Sequence, residues 1–385
     1  MRSNTGSRFL GGGFSRTVFT HTYEDIISIP NLLAAWREFV RGKSGKPDVQ
    51  EFQYRLFGNI FALHTELKYK TYAHGSYRHF KVNDPKPRDI HKASVRDRLV
   101  HHAIYRVLYP FFDRTFIADS YSCRNWKGTH KAMNRFRTFA RKVSENDTRT
   151  CWVLKCDIRK FFASVDQHVL RTILERYITD SDILLLLDRV IGSFYSTEIG
   201  KGLPLGNLTS QLLVNIYMNE FDQFMKHTIK ARYYTRYADD FVIVSRDRRE
   251  LEAMLPKIDA FLHESLKLTL HPQKVSIATL VSGVDFLGWV HFPGHRALQT
   301  ATKRRALRRT QGLEVDSPTV RSYLGMMSHG NTRKARSAIE SQYSMSGRID
   351  GQHLGLTEWP RSDFIQAGGN QPERGEDANT RDVPV

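Results

Sequence analysis

The sequence predicts an α+β fold in which a small antiparallel sheet is covered by helices. The middle third alternates strand-like and helix-like segments, the strand-like ones gather around acidic residues, and the flanking regions carry apolar residues at helical spacing.

Residues 1–22, which open rich in Gly, Ser and Arg, read as a mobile arm. Helices are expected at Asn31 to Phe39 and at Val49 to Tyr69, where Leu56, Ile60, Leu63 and Leu67 make one face. Tyr77 to Val82 and Arg88 to Ile90 are short β-rich segments divided by the turn-forming Asn83-Asp84-Pro85-Lys86-Pro87, which predicts a hairpin. Val95 to Leu108 predicts a helix with Arg96, Arg98, His101, His102 and Arg106 on one side and Val95, Leu99, Ile104 and Val107 on the other. Cys151 to Cys156 is a strand, Gln167 to Tyr177 a helix and Asn207 to Lys226 a longer helix. Arg232 to Val244 reads as two strands around a tight turn, and Arg249 to Leu266 returns to helix. Beyond a β-like Val284 to His291, Thr302 to Tyr343 is helical and very basic at Lys303-Arg304-Arg305 and Arg308-Arg309. From about Gly351 the chain is polar without apolar periodicity, and 351–385 is expected to be a disordered tail.

The chain has 385 residues, above the roughly 250–300 at which one core stops growing, so packed subdomains are expected. Lys and Arg number 58 against 40 Asp and Glu, giving a formal charge of +18. That balance favours a polyanionic partner, nucleic acid first, with a basic but non-binding protein as the alternative. Cys123, Cys151 and Cys156 have no C-x-x-C spacing, which argues against a disulfide framework or zinc site. No stretch resembles a signal peptide or reaches the roughly 18 apolar residues of a membrane span, so a soluble, cytoplasmic protein with no membrane partner is expected.

Two segments carry chemistry. In Lys155-Cys156-Asp157-Ile158-Arg159-Lys160-Phe161-Phe162 an aspartate ends an apolar strand; in Tyr237-Ala238-Asp239-Asp240-Phe241-Val242-Ile243-Val244 two aspartates occupy a hairpin turn. Three clustered carboxylates repel unless cations neutralise them, and Mg²⁺ prefers oxygen ligands, with substrate phosphates completing its sphere. Two such ions suit phosphoryl transfer, activating a 3′-hydroxyl and stabilising the departing pyrophosphate. The alternative for Asp239-Asp240 alone is an ordinary turn pair.

Tyr237-Ala238-Asp239-Asp240 resembles the Y-x-D-D box of reverse transcriptases, and Asp157 falls where that family has its other metal-binding aspartate. Further blocks follow in the family's order: Lys86-Pro87-Arg88, Gly206-Asn207-Leu208-Thr209-Ser210-Gln211, Lys274, and Val284-Asp285-Phe286-Leu287-Gly288-Trp289, which resembles the primer grip. The resemblance spans Asn31 to about Tyr343 and implies a right-hand polymerase fold, with fingers and palm over 23–295 and a helical thumb over 296–350. It implies an RNA template, a DNA or RNA primer, dNTPs, and two Mg²⁺ ions, with Mn²⁺ able to substitute. Asp157, Asp239 and Asp240 would be catalytic and would bind metal together with Ile158. Arg88 would contact the triphosphate and Lys274 the leaving pyrophosphate, with plain surface charge as the alternative for each. Phe162 aligns with the bulky gate that excludes a 2′-hydroxyl, its alternative being a core aromatic; Phe161 beside it would face the other way, as strand alternation requires. Gly206 and Gln211 would lie at the nucleotide, and Lys86, Arg96, Arg124, Lys127, Phe286, Leu287 and Gly288 at template and primer. For Ser122 to His130, a loop with a helix cap is the alternative to phosphate binding.

Most of the family has Q-G-x-x-x-S-P where this chain has Leu205 before the glycine and Gln211 in place of the proline. G-x-x-x-S-Q resembles the enzymes of diversity-generating retroelements, as do Arg96 to Ala103, Ser122-Cys123-Arg124 and Lys127-Gly128-Thr129-His130. This resemblance implies an error-prone polymerase, mutagenic at template adenines, that works with a small basic accessory protein. Alternatives are a defence-associated enzyme copying a non-coding RNA and a non-catalytic maturase-like RNA-binding protein. No block resembles a nuclease, an RNase H domain or an extended maturase region.

Overall fold

The computed structural model describes residues 18–83 and 87–344. Lys86, most of the expected arm and the expected tail lie outside the described residues.

Helices α1 (Tyr23–Ile27), α2 (Ile29–Val40), α3 (Pro47–Tyr54) and α4 (Leu56–Lys68) precede a hairpin of β1 (Arg78–Asn83) and β2 (Pro87–Lys92). The single helix expected over Val49 to Tyr69 is two, because Arg55 leaves helical geometry at φ −117° and ψ 36°. The apolar face holds: Ile60, Leu63 and Leu67 are buried and Leu56 packs against them. The hairpin is antiparallel with Val82 opposite Arg88.

Helix α5 (Val95–Phe112) runs a turn further than expected, through Pro110, and is capped by Ser94, whose hydroxyl accepts from the Asp97 N–H. Its basic side is not a solvated face. His101 is buried, Arg96 and Arg106 make ion pairs with Glu66 and Glu38, and Arg98 pairs with Asp48 at 2.7 Å. These cations join α5 to the N-terminal helices.

After α6 (Thr129–Val143) come β3 (Trp152–Asp157), α7 (Phe161–Ser164), α8 (Gln167–Glu175), α9 (Ser181–Ile191) and α10 (Leu208–Gln223), then β4 (Tyr234–Tyr237), β5 (Asp240–Ser245), α11 (Arg248–Leu266) and β6 (Ser276–Thr279). The antiparallel sheet has the order β4-β5-β3-β6. Phe241, Val242, Ile243 and Val244 are all buried, since helices cover the sheet and both faces of β5 need apolar side chains. α10 is buried on nearly every side, from Thr209 to Asp222, and forms the spine against which α5, α8 and α11 pack, with Phe221 meeting Tyr234 and Phe241 of the sheet.

A three-stranded sheet of β7 (Val284–Phe286), β8 (Trp289–His291) and β9 (Arg296–Leu298) leads into α12 (Thr300–Thr310), α13 (Pro318–Met327) and α14 (Arg333–Ser344). The last three helices enclose their own small core of Ala306, Val320, Met327, Ala335 and Ile339. They meet the rest of the chain where the His329 and His130 rings lie 3.6 Å apart and Arg296 donates to the His329 carbonyl. The fold is α+β with the arrangement of a right-hand polymerase: a helical and hairpin region before the sheet, the sheet itself, and a helical region after it.

Candidate active site

Strands β3 and β5 lie side by side in a register that sets Asp157 directly opposite Asp240. Asp239 occupies the turn between β4 and β5, and its carbonyl accepts from the Ile158 N–H at 3.2 Å, tying the turn to the residue after Asp157. The turn depends on Ala238 at φ +55°, a left-handed conformation that costs a residue with a Cβ about 1–2 kcal/mol. Beyond β3, the Asp157 carbonyl accepts from the His271 N–H at 2.7 Å, and the Lys274 ammonium donates to Asp157 Oδ1 at 2.7 Å.

Burial raises Asp239 above the usual carboxylate range, as does the Asp157 charge, while Lys274 and Arg88 pull it back. Asp240 is raised further, first by burial and then by Asp239 and Asp157, against the lowering influence of Lys155 and Lys274. Such a cluster is unstable as three bare anions, so it favours a cation. Among the described residues no three His, Cys, Asp or Glu side chains close around one ion-sized point. The donor set nevertheless fits Mg²⁺: hard carboxylate oxygens on two adjacent strands and the turn beside them, Asp157 buried and the other two half-buried, with a lysine already neutralising one of them.

Arg88 lies on the β1–β2 hairpin, exposed, and close enough to Asp239 for its charge to act there. The Gly206 segment docks on the same hairpin. The His91 N–H donates to the Leu205 carbonyl at 3.0 Å, and Asn207 Nδ2 donates to the His91 carbonyl at 2.8 Å. Gly206 has φ +107°, and a Cβ there would meet Ile90 Cγ2 at 3.0 Å, so both backbone shape and space call for glycine. Gln211 sits in the first turn of α10, half-buried, with its N–H on the Asn207 carbonyl at 3.3 Å.

Phe161 and Phe162 do not alternate along a strand. β3 ends at Asp157, Lys160 adopts a left-handed conformation at φ +46° as the N-cap of α7, and both rings lie in that short helix. Phe161 is in the core and Phe162 is half-buried beside it, with the Phe162 carbonyl accepting from the Leu203 N–H.

Several residues expected at template or primer have their donors engaged by the protein. Arg124 is nearly buried, donates to Asp113 Oδ1 at 2.7 Å and also reaches the carbonyls of Asp113, Ile117 and Ser120. Lys127 donates to the Ala118 carbonyl and lies over the Tyr121 ring, and Gly128, at φ +101°, is the N-cap of α6. Ser122 to His130 thus forms a loop that leads into the cap of α6. Arg96 is held by Glu66, Asp97 and the Ala73 carbonyl. The Phe286 ring is fully buried against Phe136 and His291. Leu287 and Gly288, at φ +52° and +83°, form the tight β7–β8 turn, and Leu287 packs on the same cluster as Tyr237 of the aspartate hairpin.

Lys155, Arg236 and Asp222 were not foreseen. Lys155 is two residues before Asp157 on one strand, hence on the same face, a relation visible in the sequence. Arg236 lies in the buried strand Tyr234–Tyr237, and a buried cation requires a buried partner; which acid supplies it is not legible from spacing.

A family model described as "Reverse transcriptase (RNA-dependent DNA polymerase)" matches residues 81–291, more than half of the chain. The chain is 30% identical over 234 residues to Protein YkfC of Escherichia coli (strain K12), covering 51% of this chain and 60% of that one. It is 21% identical over 276 residues to the group II intron-encoded protein LtrA of Lactococcus lactis subsp. cremoris, covering 54% and 45%. A telomerase of Candida albicans, solved with a fragment of telomeric RNA, superposes with a TM-score of 0.47 at 12% identity over 72% of this chain and 55% of that one. The chain thus spans less than two thirds of the length of these curated relatives. The matched region contains β2 and the second half of β1, the whole β4-β5-β3-β6 sheet and all three aspartates, and this family ordinarily uses divalent metal ions. On that match, the chain belongs to the reverse transcriptase (RNA-dependent DNA polymerase) family.

Proposed function

We propose that this protein copies an RNA template into DNA by phosphoryl transfer at Asp157, Asp239 and Asp240. The observation that carries the reading is the register that sets Asp157 against Asp240 with Asp239 beside them. The three carboxylates, with the Ile158 main-chain carbonyl as a further oxygen, would hold two Mg²⁺, which supply activation of the primer 3′-hydroxyl and neutralisation of the departing pyrophosphate. Arg88 binds triphosphate oxygens, for which a planar guanidinium with several donors is suited. Lys274 exchanges its hold on Asp157 for the leaving phosphate as substrate arrives. Phe162 blocks a 2′-hydroxyl. In Phe162→Ala, single-nucleotide extension should show ribonucleotide use rising about tenfold or more relative to dNTP. Unchanged sugar selection would remove Phe162 from this role.

The biological setting we infer is a diversity-generating retroelement, in which the enzyme copies its template with errors beside a small basic accessory protein. The support is the Gly206 to Gln211 block, which departs from the family's usual proline and rests on the nucleotide-side hairpin through Leu205 and Asn207. Sequencing of cDNA made on a defined RNA, with candidate accessory proteins added, should give errors concentrated at template adenines. A uniform error spectrum would instead favour a defence-associated enzyme, and RNA binding without any cDNA a non-catalytic maturase-like protein.

A further inference from the structure

Behind the aspartate turn lies an ion pair sealed from water. Arg236 and Asp222 have side-chain exposures of 1% and 0%. Arg236 Nε donates to Asp222 Oδ1 at 2.8 Å and Nη2 to Oδ2 at 2.6 Å, a two-pronged contact, and Nη2 also reaches Ser120 Oγ at 3.1 Å. The Tyr234 hydroxyl donates to the same carboxylate at 2.7 Å. That leaves Nη1, which donates at 3.0 Å to the carbonyl of Ala238, the left-handed residue of the turn and the one immediately before Asp239. The main chain of Arg236 is held as well: its N–H donates to the Asp119 carbonyl and its carbonyl accepts from the Tyr121 N–H, each at 3.0 Å.

We infer that Arg236 is a positioning residue, a strut from α10 that fixes the Ala238 carbonyl and through it the placement of the Asp239 carboxylate. A buried pair could be replaced by apolar side chains of similar volume without loss of stability, so stability alone gives little reason for one here. A planar fork with a third direction of donation does have a use. Two donors lock the guanidinium plane on Asp222, which itself is fixed in the spine helix, and the remaining edge then has one orientation, toward the turn. Lysine offers the charge but cannot make both contacts from one plane. The turn needs such a hold because Ala238 is in a conformation that Cβ-bearing residues leave readily and because Asp239 carries a charge repelled by Asp157.

This inference rests on the three-aspartate reading, and the experiment separates the two. Full-length wild type, Arg236→Lys, the charge-free pair Asp222→Asn with Arg236→Gln, and Asp239→Asn with Asp240→Asn would be compared in steady-state primer extension on RNA, with Mg²⁺ titrated and primer–template affinity measured by anisotropy. In both strut variants kcat should fall about tenfold to a hundredfold, as for a misplacement approaching 1 Å. The half-saturating Mg²⁺ concentration should rise several-fold, while the dNTP KM and primer–template affinity stay near wild type. A purely structural role would lower the amount of folded enzyme without moving the Mg²⁺ requirement. A folded Arg236→Lys or double variant with wild-type kcat and Mg²⁺ dependence would overturn the proposal, and so would failure of both to fold, which assigns the pair to stability. Extension by the Asp239→Asn, Asp240→Asn enzyme would instead overturn the underlying site.

Discussion

Replacing Asp239 and Asp240 together by asparagine should abolish Mg²⁺-dependent extension of a primer on RNA, lowering the rate by about a thousandfold or more, the scale of several kcal/mol of transition-state charge stabilisation. Retention of RNA should be nearly intact, because the cations that attract the backbone are elsewhere in a chain of formal charge +18. The same substitution should make the metal-free protein harder to unfold at neutral pH. Both carboxyls are raised above their ordinary range, by burial first and then by neighbouring negative charge. A carboxyl raised in the folded state holds its proton more tightly there than in the unfolded chain, so above that raised pKa its ionised form works against folding. Asparagine removes that opposition, and a gain of about 1 kcal/mol would raise Tm by roughly 1–2 °C in a chain of this length. Equal extension by variant and wild type would dismiss the catalytic assignment; a lower Tm would show that the carboxylates are not in mutual repulsion.

Asp222→Ala should be among the most destabilising single substitutions in the sheet region, at about 3–5 kcal/mol, because it leaves the Arg236 guanidinium buried and without its counter-charge. Tyr234 loses its acceptor at the same time, adding an unsatisfied hydroxyl. Urea unfolding of the full chain is the measurement, followed by fluorescence. Asp222→Asn with Arg236→Gln, which removes both charges and leaves none stranded, should recover a large part of the loss. If Asp222→Ala unfolds at the wild-type midpoint, the pair is wet or mobile in solution and the strut cannot be rigid.

The convergence of Asp157 on Asp239-Asp240 was legible because an aspartate at the end of an apolar strand and another at a hairpin turn admit few sheet arrangements, and antiparallel pairing brings those ends together. The helices α2 and α11 were legible for their periodicity. What failed to show was local. The break at Arg55 has neither Pro nor Gly to mark it, and the left-handed Lys160 that turns Phe161 and Phe162 from strand to helix has no pattern at all. α9 was not read, although Ile183, Leu186, Leu187, Val190 and Ile191 make a buried face at helical spacing and Asp180 caps the helix by accepting from the Asp182 and Ile183 N–H groups. The cations of α5 and of Ser122 to His130 were assigned outward from charge and from the family resemblance; the acidic partners of Arg98, Arg96 and Arg124 are Asp48, Glu66 and Asp113, which spacing does not connect.

The strand carrying Asp157 finds its neighbour only after the long excursion through α7 to α10, since β3 pairs with β5 and not with anything nearer in the chain. A nascent polypeptide therefore cannot assemble its acidic centre until Ser245 has left the ribosome, and fragments ending earlier hold one aspartate with no facing strand. Loop closure across such a span is slow relative to helix formation. The newly made chain thus passes through a stage in which the N-terminal helices and α5 can already pack while the three aspartates are still apart.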